Sequence, residues 1–106
     1  EYKPIIIKLP DYINGEELDK IADFCMMNSI DGLELRSNAQ VKEVFTHTGG
    51  RLPIIANCHI DTPEQASESL MAGASLVEIR TGLLREGPEI VRKTLKYLKN
   101  EKTGTV

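Results

Sequence analysis

The stretch Pro53–Arg80, "PIIANCHIDTPEQASESLMAGASLVEIR", decides the fold. It opens on a short apolar run that reads as a buried strand. Thr62, Pro63 and Gln65 then give a complete helix start. The threonine is placed to cap, proline suits the first helical position, and glutamine at the third position returns to the cap amide. After the helix comes a second apolar run, "LVEIR", with no room for a hairpin turn between the two strands. Strands joined through a helix run parallel, with a right-handed crossover.

Worked outward, the same grammar recurs on both sides. Upstream, "PIIIKL" (Pro4–Leu9) is a β-branched run expected to be buried on both faces. It leads into "NGEELDKIADFCMMNS", where Asn14 and Glu17 have capping-box spacing. Leu18, Ile21, Ala22, Cys25 and Met26 make one apolar stripe of that helix. Next, "DGLEL" is followed by "SNAQVKEVFTHTGG". Ser37 and Gln40 repeat the cap, Val41, Val44 and Phe45 form the stripe, and Gly49-Gly50 stops the helix. Downstream, "LVEIRT" (Leu76–Thr81) precedes "GPEIVRKTLKYLKNEK", with Ile90, Val91, Leu95 and Leu98 expected on its inner face.

Four βα units in succession predict an α/β fold with a parallel sheet. The strand starts, Pro4, Asp31, Leu52 and Leu76, recur at close to the βα interval of an eightfold barrel. Residues 1–106 are therefore expected to form one half-barrel-like domain, (β/α)4, with a flavodoxin-like open sheet as the alternative. A half-barrel alone leaves strand edges and one sheet face uncovered. Association is thus expected, as a homodimer or with a complementary half-barrel.

Composition narrows the function. A chain of 106 residues with 41% hydrophobic and 27% charged residues is expected to be globular. The net charge of −3 gives no basic footprint for nucleic acid or an anionic membrane. The C-terminal bases, Arg85 to Lys102, are interrupted by Glu86, Glu89 and Glu101 and read as a solvated helix face. No apolar run approaches the ~20 residues of a membrane span. The N-terminal residues lack a signal-peptide pattern, and two cysteines fit reduced thiols; both point to the cytoplasm.

In parallel α/β folds, ligands are handled at the C-terminal ends of strands. Those ends are Lys8–Asp11, Leu35–Asn38, Asn57–Asp61 and Arg80–Gly82. Cys58 beside His59 suggests a nucleophile with its base, but neighbours on an extended strand point to opposite faces. Cys25, Cys58, His47 and His59 lack zinc spacing. No catalytic and no metal-binding residue is assigned. A small-anion site built from Arg80, Thr81, His59 and the amides after Thr62 is one expectation, since arginine is a good phosphate partner. The other pairs Arg80 with Glu34 or Glu78.

The segments "IIIKLPDY", "IDGLEL" and "TGGRLPIIANCHIDTPEQASESLMAGASLVEIRTGLLREGPEIV" together resemble the C-terminal half of the FMN-dependent dihydroorotate dehydrogenases. Those enzymes are TIM barrels that oxidise dihydroorotate in pyrimidine biosynthesis. The resemblance implies FMN as cofactor, with Lys8 against the flavin ring. Otherwise Lys8 is a strand-end lysine pairing with Asp11 or Glu34. It implies Thr81 and the helix start at Thr62 on the flavin phosphate. Ser37 falls where the family has an asparagine facing flavin or substrate, and Asn38 stands one place on.

The departures carry weight too. Where the family has a Gly-rich loop for phosphate, this chain has Ala56-Asn57-Cys58-His59. A long loop that follows the second strand in the family is missing. The first four βα units, which carry the family's catalytic base, have no counterpart here. The resemblance therefore implies a dihydroorotate dehydrogenase-like half that is inactive alone. A non-catalytic half-barrel that self-associates or binds a small anion is the alternative.

Overall fold

The computed structural model describes residues 1–102. The order is β1 (Ile6–Lys8), α1 (Gly15–Met27), β2 (Gly32–Leu35), α2 (Asn38–Thr48), β3 (Ile54–Ile60), α3 (Pro63–Ala72), β4 (Leu76–Ile79), α4 (Thr81–Glu86) and α5 (Glu89–Lys102). The four strands form one sheet in the order β1-β2-β3-β4, every pair parallel. This sequential order is that of a barrel segment. A flavodoxin-like sheet would place β1 inside the sheet, so that alternative is excluded.

Alternation along the strands separates two faces. Leu33, Leu35, Ile54 and Ala56 are fully buried against Leu18, Ala22 and Cys25 of α1 and Val41 and Val44 of α2. Each buried branched side chain contributes about 1.5–3 kcal/mol relative to exposure. The opposite face carries Ile6, Lys8, Glu34, Ile55, Asn57 and Leu76, aligned by the register Lys8↔Glu34↔Ile55↔Leu76. Ile6 and Leu76 are exposed there. In a closed barrel this face would be the interior.

Two of the three expected caps form as read. Ser37 and Thr62 each accept from the amide three residues on, and Gln40 and Gln65 bond back to the cap amides. Asn14 occupies the cap position of α1 but makes no side-chain cap bond. The chain enters that helix through Gly15 at φ +59°, whereas Ser37 and Thr62 enter from extended backbone directly into helical residues. Gly49 ends α2 in the left-handed region, as expected.

Four expectations of burial and extent need correction. β1 covers three residues and is not buried on both faces; Ile5 is 55% exposed. It is an edge strand with one neighbour and nothing over the open face. Phe45 is partly exposed, because it lies across Gly50 and Gly73 at the surface instead of entering the core. Val91 and Leu95 face outward, and the inner positions of α5 are Ile90 and Thr94. β4 stops at Ile79, and a separate short helix, α4, stands between it and α5.

Candidate functional site

Because all strands run parallel, their C-terminal ends share one rim. Lys8 and Arg80 lie at opposite ends of that rim, three strand spacings or about 14 Å apart. Lys8 is exposed at the end of β1, and its ammonium has no partner among the described residues. Neither Asp11 nor Glu34 pairs with it. Glu34, one strand in, is only 6% exposed and accepts a 3.2 Å hydrogen bond from Asn57 Nδ2. A carboxylate so placed is unusual, since buried charges are normally paired. Its signal in the sequence is the acid inside the apolar run "GLEL".

The end of β3 is irregular. Between Ala56 and Ile60 it advances four residues while β4 advances two, Val77 to Ile79. This bulge puts Cys58 and His59 on different sides. Cys58 packs toward the helices with its Sγ 3.9 Å from the Leu35 carbonyl. Burial raises its thiol pKa, an effect that the Ser69 hydroxyl and Arg36 partly offset. That is the opposite of what activates a nucleophile. His59 is exposed and holds φ +55°. A side chain in that region costs about 1 kcal/mol, a cost glycine avoids. His59→Gly is therefore expected to stabilise the protein by about 1 kcal/mol in urea denaturation; a loss of stability would mean the imidazole makes an essential contact.

The remaining rim residues are largely engaged. Ser37 Oγ and Thr62 Oγ1 accept cap hydrogen bonds at 3.2 Å. Asn38 Oδ1 accepts from Ser69 Oγ at 2.7 Å, tying α2 to α3. Arg80 precedes α4, is exposed, and pairs with neither Glu34 nor Glu78. Thr81 is the first residue of α4. Gly82 sits so close to β3 that a Cβ there would lie 3.1 Å from the Asp61 carbonyl. Asp61 itself has Oδ2 3.5 Å from Arg85, while its Oδ1 is buried with no hydrogen-bond partner. The structure thus brings Gly82 against Asp61, with Thr81 its neighbour in the chain, and leaves Lys8 apart.

A second titratable cluster lies between α1 and α2, away from the rim. It lines a shallow groove of about 530 Å³ with Asp19, Glu43 and His47. His47 Nε2 is 2.8 Å from Asp23 and Nδ1 is 3.7 Å from Asp19. The hydrogen bond to Asp23 chiefly raises the His47 pKa. Glu43 is raised too, first by desolvation and then by Asp19. A raised histidine pKa stabilises the fold fully below the ordinary value near 6.5, and the gain is lost as pH rises through the folded value. The melting temperature is expected to fall between pH 6 and pH 8.5, and His47→Gln to flatten that fall. An unchanged pH profile in the variant would show that the pair carries no stability. Among the described residues, no group of three His, Cys, Asp or Glu side chains is arranged to hold a metal.

The comparisons with known proteins agree with this architecture. The family model for dihydroorotate dehydrogenase matches residues 29–101. The chain belongs to the dihydroorotate dehydrogenase family. A relative, the dihydroorotate dehydrogenase (quinone) of Edwardsiella ictaluri, is 29% identical over 126 aligned positions, covering 92% of this chain. That of Escherichia coli O1:K1 is 28% identical over 127. The chain spans 38% of the length of both relatives. Each alignment is longer than the chain itself, so the relatives carry residues that have no counterpart here. Among solved structures, DHODH from Eimeria tenella in complex with ferulenol superposes with a TM-score of 0.82 at 23% identity. It is covered over 35% of its length and covers 94% of this chain. The ligand-free type from the same organism gives 0.80 at 25%.

Set against the dihydroorotate dehydrogenase barrel, the open sheet is a half barrel whose two edges are unpaired among the described residues. The tight Arg36-Ser37 step from β2 into α2 leaves no space for a long loop at that point. No helix among the described residues is long and apolar enough to cross a membrane.

Proposed function

We propose that this chain is a half-barrel of the dihydroorotate dehydrogenase family that does not oxidise dihydroorotate by itself and works through a complementary half. The observation that carries this is the open four-stranded sheet, with Glu34 and Asn57 on a face that a barrel would enclose. Such a face gains meaning only when other strands close over it.

FMN, the family's cofactor, does not fit this chain as it stands. Phosphate binding needs bare backbone amides at a helix start. At that place His59 projects an imidazole from a left-handed backbone, and Asp61 adds a carboxylate whose Oδ1 lacks a donor. The hydroxyls of Ser37 and Thr62 already serve their own helices. What stays available toward a flavin ring or a small anion in a completed barrel is Lys8 at one end, and Arg80 and Thr81 at the other. Both cysteines are free thiols, which supports placing the protein in the reducing cytoplasm.

The test is an assay of dihydroorotate oxidation with the purified chain, added FMN and an artificial electron acceptor. The expected result is no rate above the protein-free control. Sustained turnover by the chain alone would overturn the proposal.

A further inference from the structure

The sheet face turned away from the helices carries charges that do not neutralise one another. Glu34 on β2 is 6% exposed, and Asn57 Nδ2 on β3 donates to its Oε2 at 3.2 Å. Its other oxygen, Oε1, has no donor among the described residues. That oxygen still reaches solvent, unlike the sealed and partnerless Oδ1 atoms of Asp19 and Asp61. Lys8 is the register partner of Glu34 on the neighbouring strand, about 4.8 Å away across the ladder, yet the two form no ion pair. Strand alternation puts Glu78 of β4 on the same face. The strands thus present two carboxylates and one ammonium there, with no ion pair among them. A buried carboxylate normally has its donors, so the open side of Glu34 calls for a ligand that brings its own.

We propose that Glu34, Asn57 and Lys8 bind a small zwitterion, its guanidinium or amidinium end on Glu34 and Asn57 and its carboxylate on Lys8. Because Asn57 donates through Nδ2, its Oδ1 is left as a second acceptor beside the same carboxylate. Two neighbouring acceptors suit a planar cation with two N–H donors, and such charge-assisted bonds are the strong kind. A purely anionic ligand would meet Lys8 but face two carboxylates. A purely cationic one would leave the lysine without a partner. A ligand carrying both signs, about one strand spacing apart, satisfies both groups. Lys8 is the last residue of β1 and Glu34 the last but one of β2, so the site lies at the strand ends where parallel sheets handle ligands. It is built wholly from this chain's own strands. It therefore goes beyond the half-barrel reading and does not depend on what closes the barrel.

Guanidinoacetate is the probe, with methylguanidine for its cationic end alone and acetate for its anionic end alone. Titration of the isotope-labelled chain is followed by nuclear magnetic resonance at the Asn57 side-chain amide and the backbone amides of Lys8 and Glu34. Guanidinoacetate is expected to shift these signals to saturation. It should bind about tenfold more tightly than either fragment, since each end adds a charged hydrogen bond. Glu34→Gln keeps the side-chain shape and removes a buried charge, and Lys8 is exposed, so both positions tolerate substitution, as far-ultraviolet circular dichroism would verify. Glu34→Gln is expected to weaken guanidinoacetate and methylguanidine alike, by about tenfold. Lys8→Met is expected to weaken guanidinoacetate by a similar factor and to leave methylguanidine unchanged. An absence of saturable shifts overturns the assignment, as does equal affinity for guanidinoacetate and methylguanidine, or binding that survives Glu34→Gln. Those outcomes leave the half-barrel reading in place. Turnover by the isolated chain would instead overturn that reading, whatever the probe does.

Discussion

Gly73→Ala is expected to destabilise the protein by about 3 kcal/mol or more in urea denaturation, since strain at a positive φ and overpacking each cost on the order of 1–3 kcal/mol. Gly73 ends α3 at φ +125°, a conformation that side chains rarely adopt. A Cβ there would lie 2.5 Å from Cγ of Phe45 and 2.6 Å from its Cβ. Those atoms are at the root of the phenylalanine side chain, so rotation of the ring does not relieve the clash; α2 itself must move. Gly73→Ala should cost less in a Phe45→Gly background, which lacks both the Cβ and the ring, and the loss that remains there is the backbone part. A loss below about 1 kcal/mol for Gly73→Ala would show that the α2–α3 contact is looser than described.

Gln40→Ala is expected to cost about 3 kcal/mol, because each buried group left without a partner costs about 1–3 kcal/mol and water reaches some of them. Gln40 is 3% exposed and makes four side-chain hydrogen bonds. Its Oε1 accepts from the amides of Arg36 at 2.9 Å and Ser37 at 3.2 Å. Its Nε2 donates to the carbonyls of Pro10 at 2.9 Å and Ile13 at 2.8 Å. One side chain thus closes the start of α2 and fastens the β1–α1 loop to it. Gln40→Glu keeps the acceptor but turns a buried carboxylate oxygen toward the Pro10 and Ile13 carbonyls, so a loss at least as large as that of alanine is expected at neutral pH. Equal stability of the alanine variant would mean that water replaces all four bonds.

The contrast between Gln40 and Asn14 shows what was legible. Ser37 with Gln40 and Thr62 with Gln65 could be read as caps because local spacing decides such bonds. Asn14 with Glu17 has the same spacing, but the left-handed entry through Gly15 changes the geometry. The two far bonds of Gln40 were not legible, since they join residues 27 and 30 positions away. Four regular βα intervals predicted a parallel α/β sheet but left a barrel segment and a flavodoxin-like sheet as alternatives, and the order β1-β2-β3-β4 decides between them. Exposure was misread at Ile5, Phe45, Val91 and Leu95 for one reason. Periodicity identifies apolar positions, and only tertiary structure says whether a neighbour covers them. α4 is too short for its periodicity to register.

At the rim, the sequence located the strand ends and the altered loop. It did not foresee that Glu34 is buried beside Asn57, or that His59 keeps a backbone conformation suited to glycine. The β3 end holds His59, with its side chain, at a positive φ that glycine adopts without strain.

Titration of FMN with the purified chain, followed by quenching of flavin fluorescence, tests the central claim most directly. A half-barrel with His59 and Asp61 at the phosphate end is expected to leave FMN fluorescence unchanged and the protein colourless after reconstitution and gel filtration. Stoichiometric quenching, with yellow protein emerging from the column, would contradict it.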